Sequence, residues 1–136
     1  MSTRKTIPKK IRQQVYEKYD GHCAYCGCKL EMKDMQVDHI DPVYRAYYDH
    51  REVDESIDNY NPACRACNFY KSTYDLETFR HNIEYMLIGH LHRVFNYKML
   101  LKYGMIHEDF KPVRFYFEKV RKNEVQTIGY VHEADR

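Results

Sequence analysis

The chain has 136 residues, 43% of them apolar and 15% aromatic, which suits one folded domain with a moderate core. It holds no apolar run approaching about twenty residues, and no apolar stretch follows the charged start "MSTRKTIPKKIR", which argues against a membrane span and a secretory leader and predicts a cytoplasmic protein. The net charge of +2 decides little, yet basic residues gather at 1–16 (Arg4, Lys5, Lys9, Lys10, Arg12) and 111–122 (Lys111, Arg114, Lys119, Arg121, Lys122), where they could meet phosphates.

Pro8 suits the first turn of a helix, and Ile7, Ile11, Val15 and Tyr19 recur every four residues up to Asp20-Gly21, so a helix is predicted over about 8–19. "HCAYCG" makes a tight turn in which Gly27 lets the backbone fold back toward the cysteines. "MQVDHI" alternates as a short strand closed off by Pro42, and residues 43–58, polar, aromatic and acidic, read as a loop with about one helical turn. "CRACNFYK" reads as a short helix opening near Cys64.

Ser72 or Thr73 can cap the next helix, striped by Leu76, Phe79, Ile83 and Met86 or Leu87 before Gly89. A further helix is predicted from about Leu91 to Tyr103, with Gly104 at its left-handed end. "PVRFYFEKV" sets Val113, Phe115 and Phe117 against Arg114, Tyr116 and Glu118, the pattern of a strand, which "VQTIGYV" could pair with as a hairpin. One domain over 1–136 is expected, with a functional core at 8–80 and an extension at 81–136.

Two CxxC pairs in a chain without export signals favour a thiolate metal site over disulfides. Cys23, Cys26, Cys64 and Cys67 would complete a tetrahedral Zn²⁺ site and hold residues 27–63 as a loop between the halves. Four sulfurs leave no open position on the ion, so this zinc is structural and its binding energy is folding energy. Cys28 is left over, as a small half-buried residue or an idle free thiol.

Closing this clip brings Asp38-His39 toward Asn68, which follows the last cysteine. Asp38 and Asn68 offer the hard oxygen donors that Mg²⁺ prefers, with phosphate and water filling the rest of its shell. Neutral His39 can take a proton from an attacking water. These are the parts of a phosphodiester hydrolase.

The combination "CAYC", "DHIDP", Asn59 in "DNYNP", "CRACN" and Lys71 resembles the zinc-braced members of the HNH endonuclease family, over roughly residues 8–80. The resemblance implies an α+β, mainly helical chain: a ββα-metal nuclease core with its four-cysteine zinc site, an N-terminal helix, C-terminal helices and a short β-hairpin. It implies single-metal hydrolysis of DNA, leaving a 5′-phosphate and a 3′-hydroxyl. His39 would be the general base, Asp38 and Asn68 the ligands of Mg²⁺ or Mn²⁺, and Asn59 the asparagine that braces the loop and the histidine ring. Asn61 is the other candidate for that last role, with motif register favouring Asn59.

Asn68 stands where the family's last histidine usually sits, and an amide oxygen favours harder ions than imidazole does. The acidic loop from Asp41 to Asp58 is a second departure. Lys71 and Arg65 could reach phosphates, although Lys71 could equally complement a helix end. One centre would nick one strand at a time, so a double-strand break would need a homodimer or two visits. The competing class is a zinc-stabilised module that binds nucleic acid without cutting it.

Overall fold

Helix α1 (Lys9–Glu17) begins behind Pro8, as its pattern predicts, in a computed structural model that describes residues 6–125. Arg4 and Lys5 of the basic N-terminus, and most of the "VQTIGYV" segment, lie outside the described residues. The chain divides into two compact units, Met1–Asp75 with Arg114–Arg136, and Leu76–Val113. No helix among the described residues is long and apolar enough to cross a membrane.

In the first unit, α1 buries Val15 and sends three polar side chains across to neighbouring backbone. The Arg12 guanidinium donates to Met35 O at 3.0 Å, Tyr16 Oη to Leu30 O at 2.8 Å, and Lys18, just past the helix, to Tyr60 O at 2.6 Å. These bonds satisfy carbonyls that no ladder reaches, which is why a short helix with one buried apolar residue can be fixed in place. Strand β1 (Gln36–His39) then pairs antiparallel with β2 (Tyr60–Ala63), in the register Gln36 to Ala63, Val37 to Pro62, Asp38 to Asn61 and His39 to Tyr60. Between them lies α2 (Val43–Tyr48), which opens behind Pro42 and is the helical turn expected of the 43–58 loop. Helix α3 (Arg65–Lys71) follows β2 directly, completing a strand, strand, helix order.

The second unit is helical. Helix α4 (Leu76–His81) runs through a π-helical stretch (Asn82–Met86) into α5 (Leu87–Leu91), so the helix continues past Gly89 and turns only after Leu91. A glycine inside a helix costs about 1 kcal/mol, too little to stop one that its neighbours support. Helix α6 (Phe95–Lys102) ends near Gly104, whose φ of +68° is the left-handed conformation expected there. His92 Nε2 and Tyr97 Oη both meet Glu108 Oε1, and the Arg80 guanidinium donates to Val113 O at 2.7 Å.

The strand predicted over "PVRFYF" is not formed. The chain is irregular to Phe115 and then enters α7 (Tyr116–Val125), so the expected hairpin has no first arm. The physical reason lies in the hydrogen bonds. Glu118, three residues into the turn, accepts from the Phe115 N–H at 2.9 Å, half of a capping box. The next two N–H groups, of Tyr116 and Phe117, donate to Tyr25 O and Ala24 O at 3.0 and 2.8 Å. Phe115 and Phe117 are nonetheless buried as their alternation suggests, standing edge-on to Tyr25 at 5.3 and 6.2 Å. The alternation reported burial, and the backbone partner is the first cysteine turn instead of a sheet.

Candidate metal and catalytic site

The first cysteine turn is closed by its own backbone: Cys23 N–H donates to Cys28 O at 2.8 Å and Gly27 N–H to Cys23 O at 2.9 Å. Gly27 sits at φ +82°, where an added Cβ would come within 2.9 Å of the Tyr116 ring, so the turn needs glycine twice over. Ala24 N–H donates to Pro62 O at 2.8 Å, docking the turn on β2. The second pair is set by α3, whose N-cap is Cys64 with Sγ accepting from Cys67 N–H at 3.4 Å.

The two turns bring Cys23, Cys26, Cys64 and Cys67 together with all four sulfurs within 4.8 Å of one another. Cys26 Sγ and Cys64 Sγ are 3.9 Å apart, close to the edge of about 3.8 Å that a tetrahedron with metal–sulfur bonds of about 2.3 Å requires. The Cys23 thiol is lowered to about 4, first by its hydrogen bond with Cys67. Thiolates packed this closely repel one another unless a cation sits between them, so the donor set fits zinc. Cys28 is exposed and outside the cluster; its carbonyl accepts from Cys23, and its backbone and side chain hydrogen-bond Cys26.

Asp38 and His39 end β1, while Asn68 sits one helical turn into α3. All three line one groove of about 750 Å³, walled on its other side by Pro42, Val43, Tyr44 and Tyr47. This is the convergence expected from the sequence. Asp38 is 5% exposed, and its carboxylate is held by the Tyr25 hydroxyl and by the Lys71 ammonium at 3.2 Å. Burial raises the Asp38 pKa above its ordinary value, opposed chiefly by Lys71. A carboxylate has about four lone-pair sites, so accepting from Tyr25 and Lys71 leaves capacity for a further partner. A carboxylate and an amide oxygen on facing elements fit a hard divalent cation.

Lys71 is not placed to contact phosphate, contrary to expectation. It is fully buried, bonding Asp38 and, at 2.9 Å, His39 O. Helical spacing puts Lys71 on the same face as Asn68, the inward one, and that i, i+3 relation was the available signal. Arg65, by contrast, is exposed at the start of α3.

Asn59 is 6% exposed and braces the loop in both directions: its Oδ1 accepts from Asp41 N–H at 2.8 Å, and its Nδ2 donates to Asp41 O at 3.1 Å and Asp54 O at 2.9 Å. Asn61 has a different place, donating to Tyr25 Oη at 3.4 Å beneath Asp38. Two site neighbours lacked a sequence signal. Tyr25 lies inside the CxxC turn, and Glu55 lies in the acidic loop, with Oε1 2.7 Å from His39 Nε2.

Residues 23–73 match the family described as HNH endonuclease. Among solved structures, the Type II-C Cas9 enzyme from Actinomyces naeslundii is similar at 20% identity and a TM-score of 0.47, over 59% of this chain and 9% of that one. No curated protein matches the chain.

Proposed function

We propose that this chain, which carries an HNH endonuclease family segment at residues 23–73, is a metal-dependent DNA endonuclease that nicks one strand per visit. The observation that carries the reading is the shared groove of Asp38, His39 and Asn68, braced by the four-cysteine cluster. A module that only bound nucleic acid would have no use for a histidine lining the same groove as two hard oxygen donors. In this reading Zn²⁺ occupies the cysteine cluster as a structural ion, and a reducing compartment such as the cytoplasm keeps the thiols available for it.

His39 takes a proton from the attacking water in the groove. Asp38 and Asn68 would hold Mg²⁺ or Mn²⁺, which when bound supplies Lewis-acid stabilisation of the charge developing on the phosphate. Lys71 and Tyr25 fix the Asp38 carboxylate in place, and Asn59 fixes the loop that covers His39. Exposed Arg65 contributes a positive charge for the backbone of the substrate. One centre per chain acts on one phosphodiester at a time, so double-strand cleavage requires two chains or two visits.

The test is conversion of supercoiled plasmid to the nicked form by zinc-loaded protein with Mg²⁺ or Mn²⁺, comparing wild type with His39→Ala. The expected result is nicking that the substitution abolishes while zinc content and circular dichroism stay unchanged. Binding of DNA without cutting, by both proteins, would replace the nuclease with the binding module.

A further inference from the structure

We propose that Glu55 selects the working nitrogen of His39, holding Nε2–H so that Nδ1 is the atom that accepts the proton from water. The inference rests on the nuclease reading and names a positioning residue within it.

Glu55 Oε1 lies 2.7 Å from His39 Nε2. A carboxylate only accepts, so Nε2 is the nitrogen bearing hydrogen, and a neutral imidazole then has its one lone pair on Nδ1. The second oxygen of Glu55 is also used: Oε2 accepts from Tyr60 Oη at 2.9 Å. Tyr60 is buried, faces His39 across the two strands, and sets its ring edge-on to the imidazole at 5.1 Å. Burial, and then Glu55 itself, push the Tyr60 hydroxyl up to about 12, so it remains a proton donor to the carboxylate.

The backbone around Glu55 is held from both sides. Asn59 Nδ2 donates to Asp54 O at 2.9 Å, and Asp54 Oδ1 accepts from Ser56 N–H at 2.9 Å. Asn59 therefore reaches the histidine through Glu55: amide to loop carbonyl, loop to carboxylate, carboxylate to imidazole. This gives the long acidic loop a purpose, since its 43–58 stretch returns a carboxylate to the ring nitrogen. Glu55 is itself half-exposed, while the ring it holds is 9% exposed. Such an arrangement fixes tautomer and ring direction together, the contribution that outer hydrogen-bond partners make to functional histidines.

The experiment combines ¹⁵N NMR of the imidazole in the full zinc-loaded chain, recorded at alkaline pH on the neutral ring, with steady-state nicking. Wild type should show His39 as the Nε2–H tautomer. Glu55→Ala should give a tautomer mixture and lower kcat roughly tenfold to a hundredfold with KM little changed. Glu55→Gln, which keeps an acceptor oxygen, should restore the Nε2–H form and most of kcat. A wild-type ring carrying hydrogen on Nδ1, or a Glu55→Ala protein with unchanged tautomer and unchanged kcat, would overturn the assignment. The NMR measurement needs no turnover, so it decides the role of Glu55 even in a protein that cuts nothing; absence of cutting by wild type would count against the nuclease reading alone.

Discussion

Replacing Lys71 by methionine should cost stability, not substrate affinity. The ammonium is fully buried and its partner carboxylate is 5% exposed, so the ammonium has no water as an alternative partner and the carboxylate has little. At 3.2 Å and an effective dielectric constant of about 20, their attraction is about 5 kcal/mol. Methionine fills much of the same volume but leaves the Asp38 carboxylate with Tyr25 alone and the His39 carbonyl without its donor. Breaking one side of a buried pair costs about 3–5 kcal/mol. Urea unfolding at constant saturating zinc should therefore show a loss of that size, while the salt dependence of DNA binding stays unchanged. The double variant Asp38→Asn with Lys71→Met strands no charge and should be more stable than the two single losses added together by at least about 1 kcal/mol. A loss below about 1 kcal/mol for Lys71→Met, or a flattened salt dependence of binding, would refute the buried-pair account and return Lys71 to the phosphates.

Removing zinc with a chelator should unfold the first unit, because the cluster ties β2 and α3 to the first cysteine turn; loss of far-ultraviolet circular dichroism as zinc is released checks it, and structural sites of this kind contribute about 10–16 kcal/mol. Cys28→Ser should keep one zinc per chain by metal analysis, since its sulfur is exposed and outside the four-cysteine cluster, and a serine hydroxyl can still hydrogen-bond Cys26. Gly27→Ala should destabilise the zinc-loaded protein by about 1–2 kcal/mol from the left-handed backbone alone, with the Tyr116 contact adding to it, read by the same urea titration. The Arg51 guanidinium bonds both oxygens of Asp41 and holds that carboxyl below its ordinary 3.8. A lowered folded value means the pair's stability is present above the ordinary carboxylate range and lost as pH falls through the lowered value. Carboxyl NMR titration should find Asp41 low in wild type and restored in Arg51→Ala.

The zinc clip and the convergence of Asp38, His39 and Asn68 were legible because they depend on local spacing, and spacing is what a metal site constrains. The α1 helix and β1 were legible for a related reason: each carries its own periodicity and stop signal. The second strand was not, since Pro62 removes a donor and all four residues of β2 are buried, leaving no alternation to see. Helix α7 is hidden in the sequence because alternating Phe115 and Phe117 has the pattern of a strand, while the informative residue is Glu118, a cap for the turn before it. Lys71 and Glu55 show the opposite limits of residue type. A lysine becomes interior when one carboxylate and one carbonyl meet it, and a loop glutamate becomes part of a site when a tyrosine five residues on in the sheet, Tyr60 opposite His39, holds its other oxygen.

The most direct measurement is the rate of plasmid nicking by zinc-loaded protein as Mg²⁺ is added from zero, for wild type and for Asn68→Ala. The account predicts no nicking without added cation, saturable nicking with it, and a curve for Asn68→Ala displaced to higher Mg²⁺. Full nicking in the absence of any added divalent cation, or identical curves for the two proteins, would contradict it.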